Sequence, residues 1–171
     1  MNESNNNKKW FALYTKPKQE FKASQQLESA GIDFYLPVIT KVKQWTDRKK
    51  KITEPLIKGY IFIFADEKER NISLEQFSIV RCIFDNGRPA VIPKWQMENL
   101  KNFLRKDENV IVNSGIVPGA KVKILDGPFE GVIGVIKQEA KGKTIAVNIE
   151  LLNRSVLTQI SNDICFEVIK N

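Results

Sequence analysis

The 171-residue chain contains no histidine and only two cysteines. The missing imidazole excludes Ser–His and Cys–His nucleophile pairs. Without histidine or a cysteine cluster, no zinc site of Cys/His spacing can be built either. Cys82 and Cys165 stand far apart in apolar, strand-like contexts. They read as small buried thiols of a reduced, cytoplasmic setting rather than as a disulfide. No apolar run approaches the ~18 residues of a membrane span, so no membrane partner is expected. The polar opening, Met1 to Asn7, lacks the apolar stretch of a secretory signal, and residues 1–8 read as a disordered lead-in. Carboxylates are scattered singly, with no pair placed for acid–base work. Lys141-Gly142-Lys143-Thr144 ends like a phosphate-binding loop, but that pattern needs glycine where the chain has Lys137, and the segment falls between strands. Neither an enzyme nor a cofactor is expected, and a monomer is.

What is present is positive charge, unevenly placed. The net charge is +7, and Lys41, Lys43, Arg48, Lys49, Lys50, Lys51 and Lys58 crowd one segment against only Asp47 and Glu54. Such density attracts a polyanion by counterion release; it also suits a solvated hairpin tip.

Along the chain, Trp10 to Tyr14 suits a central strand. Pro17, with its preset φ, opens a helix that runs to about Ala30 with Ala23, Leu27 and Ala30 on one face, and Gly31 closes it. Phe34 to Val38 is a second strand. Ile39 to Glu54 reads as a long polar hairpin turning at Thr46 to Lys49, and Gly59 to Phe64 returns as a buried strand. A short helix over Asn71 to Phe77, a strand over Ile79 to Phe84, a turn over Asp85 to Pro89 and a helix over Lys94 to Arg105 follow. The order β-α-β-(hairpin)-β-α-β-α is an α+β, ferredoxin-like split βαβ arrangement with an inserted hairpin. From Pro118 onward five short strands alternate with turns, as in a small all-β barrel of SH3-like size. The expected layout is an N-terminal domain over residues 9–106, a linker over 107–117, and a C-terminal domain over 118–171.

Three stretches carry a family resemblance: Lys9-Trp10-Phe11-Ala12-Leu13-Tyr14-Thr15-Lys16-Pro17, Thr53 to Phe64, and Gly119 to Ile124 with Gly127-Pro128-Phe129-Glu130-Gly131 and Gly134. Together they resemble the NusG family of transcription elongation factors, with its N-terminal (NGN) domain and its KOW motif. The resemblance implies that Tyr14, Ile57, Tyr60 and Phe62 bind the clamp helices of the largest RNA polymerase subunit; Ile57 stands where family members often carry an aromatic. The same aromatics also suit a plain domain core. By likeness to the specialised member RfaH, Lys16, Lys18, Gln19 and Lys22 are candidates for the non-template DNA strand. Pro17 and Lys18 depart from that local pattern, so no base preference transfers, and no His-Thr-Thr run precedes Ile79. Arg48, Lys49, Lys50 and Lys51 are candidates for non-specific contact with upstream DNA. In the KOW domain, Leu151, Leu152 and Arg154 match a loop that docks a ribosomal protein or the termination factor Rho, and Phe129, which can cap the barrel end, is a partner-binding candidate beside them. Leu152 replaces the phenylalanine of general NusG proteins, which would weaken a Rho contact. The whole most resembles RfaH/UpxY-type antiterminators of long polysaccharide operons. Val, Ile and Gly dominate from Val122 to Val147, so the barrel is expected to be the favoured state there rather than a helical one. The competing reading is a KOW-domain RNA-binding protein on the ribosome.

Overall fold

A computed structural model of the chain describes residues 7–107 and 109–170. It divides into two compact units, one ending at Lys94 and the other beginning at Trp95.

In the first unit, strand β1 (Lys9–Thr15) leads to helix α1 (Glu20–Ser29) and strand β2 (Asp33–Tyr35). A hairpin of β3 (Val38–Gln44) and β4 (Lys49–Pro55) precedes β5 (Tyr60–Ala65), α2 (Glu67–Leu74) and β6 (Ile79–Cys82). Two-residue strands β7 (Phe84–Asp85), β8 (Arg88–Pro89) and β9 (Val91–Ile92) complete it. The sheet has the order β2-β5-β1-β6, with β9 also pairing β1, while β3 and β4 form a separate two-stranded ribbon. Phe11, Leu13, Ile61, Ile63 and Ala65 alternate onto one face, where they pack with Ala23 and Leu27 of α1 and with Ile79 and Cys82. Each leucine, isoleucine or phenylalanine side chain taken from water there contributes about 1.5–3 kcal/mol.

Both helix starts differ from expectation. Lys18 has φ +60, a left-handed value no helix passes through. Lys16 to Gln19 therefore makes a turn, closed by the Gln19 amide on the Lys16 carbonyl (3.1 Å), and α1 begins only at Glu20. The second helix begins at Glu67, not Asn71, because Asp66 and Glu69 form a reciprocal capping box. Residues 1–6 of the expected lead-in lie outside the described residues. Lys8 is pinned by Glu69 (2.8 Å) and Asp33 (3.5 Å), and the hydrogen bond to Glu69 raises its ammonium pKa.

The second unit comprises α3 (Lys94–Lys106, from its second residue on), β10 (Ile111–Ser114), β11 (Lys121–Ile124), β12 (Ile133–Glu139), β13 (Gly142–Ile149), β14 (Arg154–Ile160) and β15 (Phe166–Val168). Its antiparallel sheet runs β10-β14-β13-β12-β11-β15. The expected N-terminal domain runs through α3; from Trp95 on, the helix packs within the same compact unit as this sheet. Phe103 lies against Phe129 with ring centroids 5.6 Å apart. Asn99 exchanges two 2.7 Å hydrogen bonds with the Ile133 backbone. Residues 111–114, expected in the linker, pair in register with Arg154 to Leu157. Glu108, also of that linker, is outside the described residues. At Gly134 a Cβ would fall 2.7 Å from the Ala146 carbonyl, so only glycine lets β12 and β13 close there. Cys82 is buried, but Cys165, expected inside, is exposed; it sits just ahead of the edge strand β15, its amide held by Asp126 (2.9 Å).

Candidate functional site

The first unit carries three surfaces. The first is the sheet face turned away from the α1 core. Register places Trp10 opposite Phe64, Ala12 opposite Phe62 and Tyr14 opposite Tyr60. Tyr35 aligns with Phe62, and Arg81 with Tyr14. Ring pairs follow: Trp10–Phe64 at 5.3 Å, Tyr14–Tyr60 at 5.5 Å edge-on, and Tyr35–Phe62 at 6.5 Å stacked. The guanidinium of Arg81 lies 5.8 Å from the Tyr14 ring centroid.

Of the four residues expected to hold the polymerase, Phe62 and Ile57 are buried, while Tyr14 and Tyr60 are half-buried. The tyrosines are the accessible pair. Their position depends on Gly59, which has φ +84 and whose absent Cβ would lie 3.2 Å from the Tyr14 ring. The Gly59 amide donates to the buried Glu20 carboxylate (2.8 Å), and its carbonyl accepts from the Thr15 amide (2.9 Å). Helix α1 thereby fixes the loop beneath the tyrosines.

The second surface lies at the start of α1. Lys16 Nζ sits 3.4 Å from the Phe77 ring centroid and Lys22 Nζ 5.2 Å from it. Phe77 is 62% exposed, yet its backbone is held. The next residue's amide donates to Gln26 (3.1 Å), and its hydroxyl, Ser78 Oγ, donates to Gln19 (2.9 Å). Gln19 thus faces inward as a brace, and Lys18 is exposed on the turn. Beside the ring runs an open groove of about 410 Å³ lined by Lys22, Gln25, Gln26, Ser29, Ala30 and Gln76. Sequence reading missed Phe77 because it placed the residue inside a helix; α2 ends three residues earlier.

The third is the ribbon of β3 and β4, where every residue from Thr40 to Lys51 is exposed. Lys41 Nζ sits 2.7 Å from the Glu54 carboxylate, and that hydrogen bond holds the carboxyl below its usual range. Among the described residues no carboxylate pairs with Lys43, Arg48, Lys49, Lys50 or Lys51.

In the second unit the four expected partner-binding residues do not form one exposed surface. Phe129 and Leu152 are buried, and Leu151 and Arg154 half-buried. A single 3-10 turn, Glu150–Leu152, ends on left-handed Asn153, and Arg154 donates to the Asn153 and Leu152 carbonyls at 3.0 and 3.4 Å.

A family profile described as "NusG: Transcription termination factor nusG" matches residues 8–101, more than half of the chain. The chain belongs to the NusG family. Proteins of this family are transcription factors, not enzymes. Among solved structures, one described as "Domain interaction in Thermotoga maritima NusG" is similar at 23% identity, covering 97% of this chain and 99% of that one, with a TM-score of 0.51. One described as "MjSpt4:Spt5 complex" is similar at 16% identity over 94% of this chain and 97% of that one, with a TM-score of 0.31. Among the described residues, no helix of this NusG-family chain is long and apolar enough to cross a membrane.

Proposed function

We propose that this NusG-family chain binds the clamp helices of the largest RNA polymerase subunit and promotes processive elongation or antitermination, in the manner of RfaH/UpxY-type paralogues acting on long polysaccharide operons. The observation that carries the reading is the Tyr14–Tyr60 pair, half-buried on an aromatic sheet face and braced through Gly59 by Glu20. Rigid aromatic rings with polar tips are favoured anchors for a partner helix. Phe62 and Ile57 support them from within. In this reading the first unit is a ferredoxin-like NGN domain, since its sheet order is that of a split βαβ fold. The second is an SH3-like KOW barrel, with Gly127 and Gly131 at φ +73 and +84 turning β11 into β12.

The exposed non-template strand would lie across Lys16, Lys22 and Phe77, bases stacking on the ring and phosphates meeting the ammoniums. Lys18 stands close enough in sequence to extend that path, and Gln19 acts by holding Ser78. The ribbon carrying Arg48 to Lys51 is assigned to a nucleic acid as well. A ribosomal protein or Rho would meet the KOW domain at Leu151 and Arg154, with Leu152 and Phe129 shaping that loop from inside.

The test is retention of RNA polymerase from the source organism on the immobilised full-length chain. Tyr14→Ala/Tyr60→Ala should weaken retention about 10-fold to 100-fold while the variant keeps its native circular dichroism. Retention unchanged in the folded variant, or wild-type capture of ribosomal RNA without polymerase, would overturn the reading.

A further inference from the structure

The β3–β4 ribbon has lysines on both of its faces, and those without a carboxylate partner lie near its tip. In an antiparallel pair directly opposed residues share a face, and successive pairs alternate. Lys49 opposite Gln44 and Lys51 opposite Val42 lie on one face, with the 3.0 Å Thr40–Thr53 hydroxyl contact. Lys43 opposite Lys50 lies on the other, followed inward by Lys41 opposite Ile52. Lys41 is neutralised by Glu54. The unneutralised strand lysines are therefore confined to the three outermost pairs. Beyond them Trp45 to Arg48 closes the tip through a 2.8 Å bond from the Trp45 amide to the Arg48 carbonyl. Trp45 is 54% exposed, and Lys50 Nζ lies 5.8 Å from its ring centroid.

Two ammoniums directly opposed destabilise a ribbon that has little packing to offset them. A surface charged only for solubility has no need to oppose them, and one that lies flat on a phosphate backbone needs lysines on one face only. Lysines on both faces suit an element flanked by phosphates on both sides. The major groove of B-DNA is such a place: it is about 12 Å wide, about 8.5 Å deep, and admits a two-stranded ribbon. Three successive pairs span about 7 Å at ~3.4 Å per residue, so the lysine-bearing part matches the groove's depth.

Resting on the nucleic-acid assignment of the ribbon made above, we propose that the β3–β4 arm inserts its tip into the major groove of a B-form DNA duplex. Lys49 and Lys51 then face one phosphate backbone, Lys43 and Lys50 the other, and Trp45 meets the groove floor.

The experiment is anisotropy titration of the full-length protein with a labelled 20-base-pair DNA duplex between 50 and 200 mM salt. Each phosphate deprived of its lysine lowers the slope of log K against log salt by about 0.9. Lys43→Gln/Lys50→Gln and Lys49→Gln/Lys51→Gln should therefore each lower it by about 1.8, and Trp45→Ala should weaken binding several-fold with the slope unchanged. On an A-form RNA duplex of equal length, whose major groove is deep and narrow, the variants and wild type should bind alike. A slope that responds to only one lysine pair means flat docking and overturns the proposal. So does an equal response on duplex RNA or on the single DNA strand, or no response to either pair. Polymerase retention by the same variants reports separately: if they are retained and the slopes do not change, the arm assignment falls while the polymerase reading stands.

Discussion

Strand β5 and the β3–β4 ribbon are joined by only four residues and share the same extended backbone, yet they follow opposite rules. In Tyr60–Ala65 no residue is fully exposed: Ile61, Ile63 and Ala65 enter the α1 core, Phe62 is buried in the aromatic rows, and Tyr60 and Phe64 flank it half-buried. Beyond Ile39, the ribbon has no fully buried residue before Leu56, and it opposes Lys43 to Lys50. Sheet residues are chosen for what they bury. Ribbon residues are chosen for what they present, even at some cost to pairing. The ribbon therefore only presents, whereas β5 both buries, at Phe62, and leaves a ring half-open, at Tyr60.

The largest effect that would separate the two regions is on folding. Phe62→Ala removes a fully buried ring that stacks on Tyr35, and a loss of about 3–5 kcal/mol is expected in urea unfolding. Lys49→Gln/Lys51→Gln, at exposed ribbon positions, should stay within about 0.5 kcal/mol of wild type. Comparable losses from both would mean that the ribbon is part of the cooperative core and would erase the contrast.

Much of this division was legible in the sequence. The apolar run Tyr60 to Phe64 and the alternation around Lys41 to Trp45 mark a buried strand and a solvated one from composition alone. Other features depend on residues distant in sequence. Phe77 is held exposed because Gln26 and Gln19 fix Ser78 across 52 and 59 residues, and no local pattern reports that. The helical spacing of Met97, Leu100, Phe103 and Leu104 puts them on one face of α3, and the first three are buried, but the spacing does not tell that Phe103 meets Phe129. Lys18 takes a positive φ without glycine or asparagine to announce it. The Asp66/Glu69 capping box was a readable signal, three residues apart, and would have placed α2 correctly. Among the candidate site residues, the sequence supplied the aromatics and the basic ones; strand register decided that Tyr14 and Tyr60 stay half-open while Phe62 closes.

A smaller effect probes a polar flaw in the sheet. Thr15 ends β1 fully buried, and among the described residues its Oγ1 has no hydrogen-bond partner. Its backbone is anchored at Gly59, directly beneath the tyrosine pair. Replacing the hydroxyl by a methyl of similar size removes a desolvated donor and keeps the β-branch, so Thr15→Val should stabilise the chain by about 1 kcal/mol. The urea midpoint should rise while polymerase retention is unchanged. A fall in midpoint would show that the hydroxyl is satisfied and that this position belongs with functional polarity rather than with the sheet's packing.

The smallest effect bears on the ribbon itself. If Lys43 and Lys50 face each other for the sake of a polyanion, their opposition costs the free protein a little. Lys43→Glu then replaces a repulsive cross-strand pair by an attractive one, worth about 0.2–1 kcal/mol. Global unfolding is too coarse to resolve that; amide hydrogen exchange within β3 and β4 is not, and their amides should exchange up to about fivefold more slowly. Affinity for the DNA duplex should fall in the same variant, since an anion replaces a cation on one face of the arm. Slower exchange with weaker duplex binding would mean that the opposed lysines trade local stability for recognition. Exchange that is unchanged or faster would mean that solvent already screens the pair, and the lysines would then have no cost for a ligand to offset.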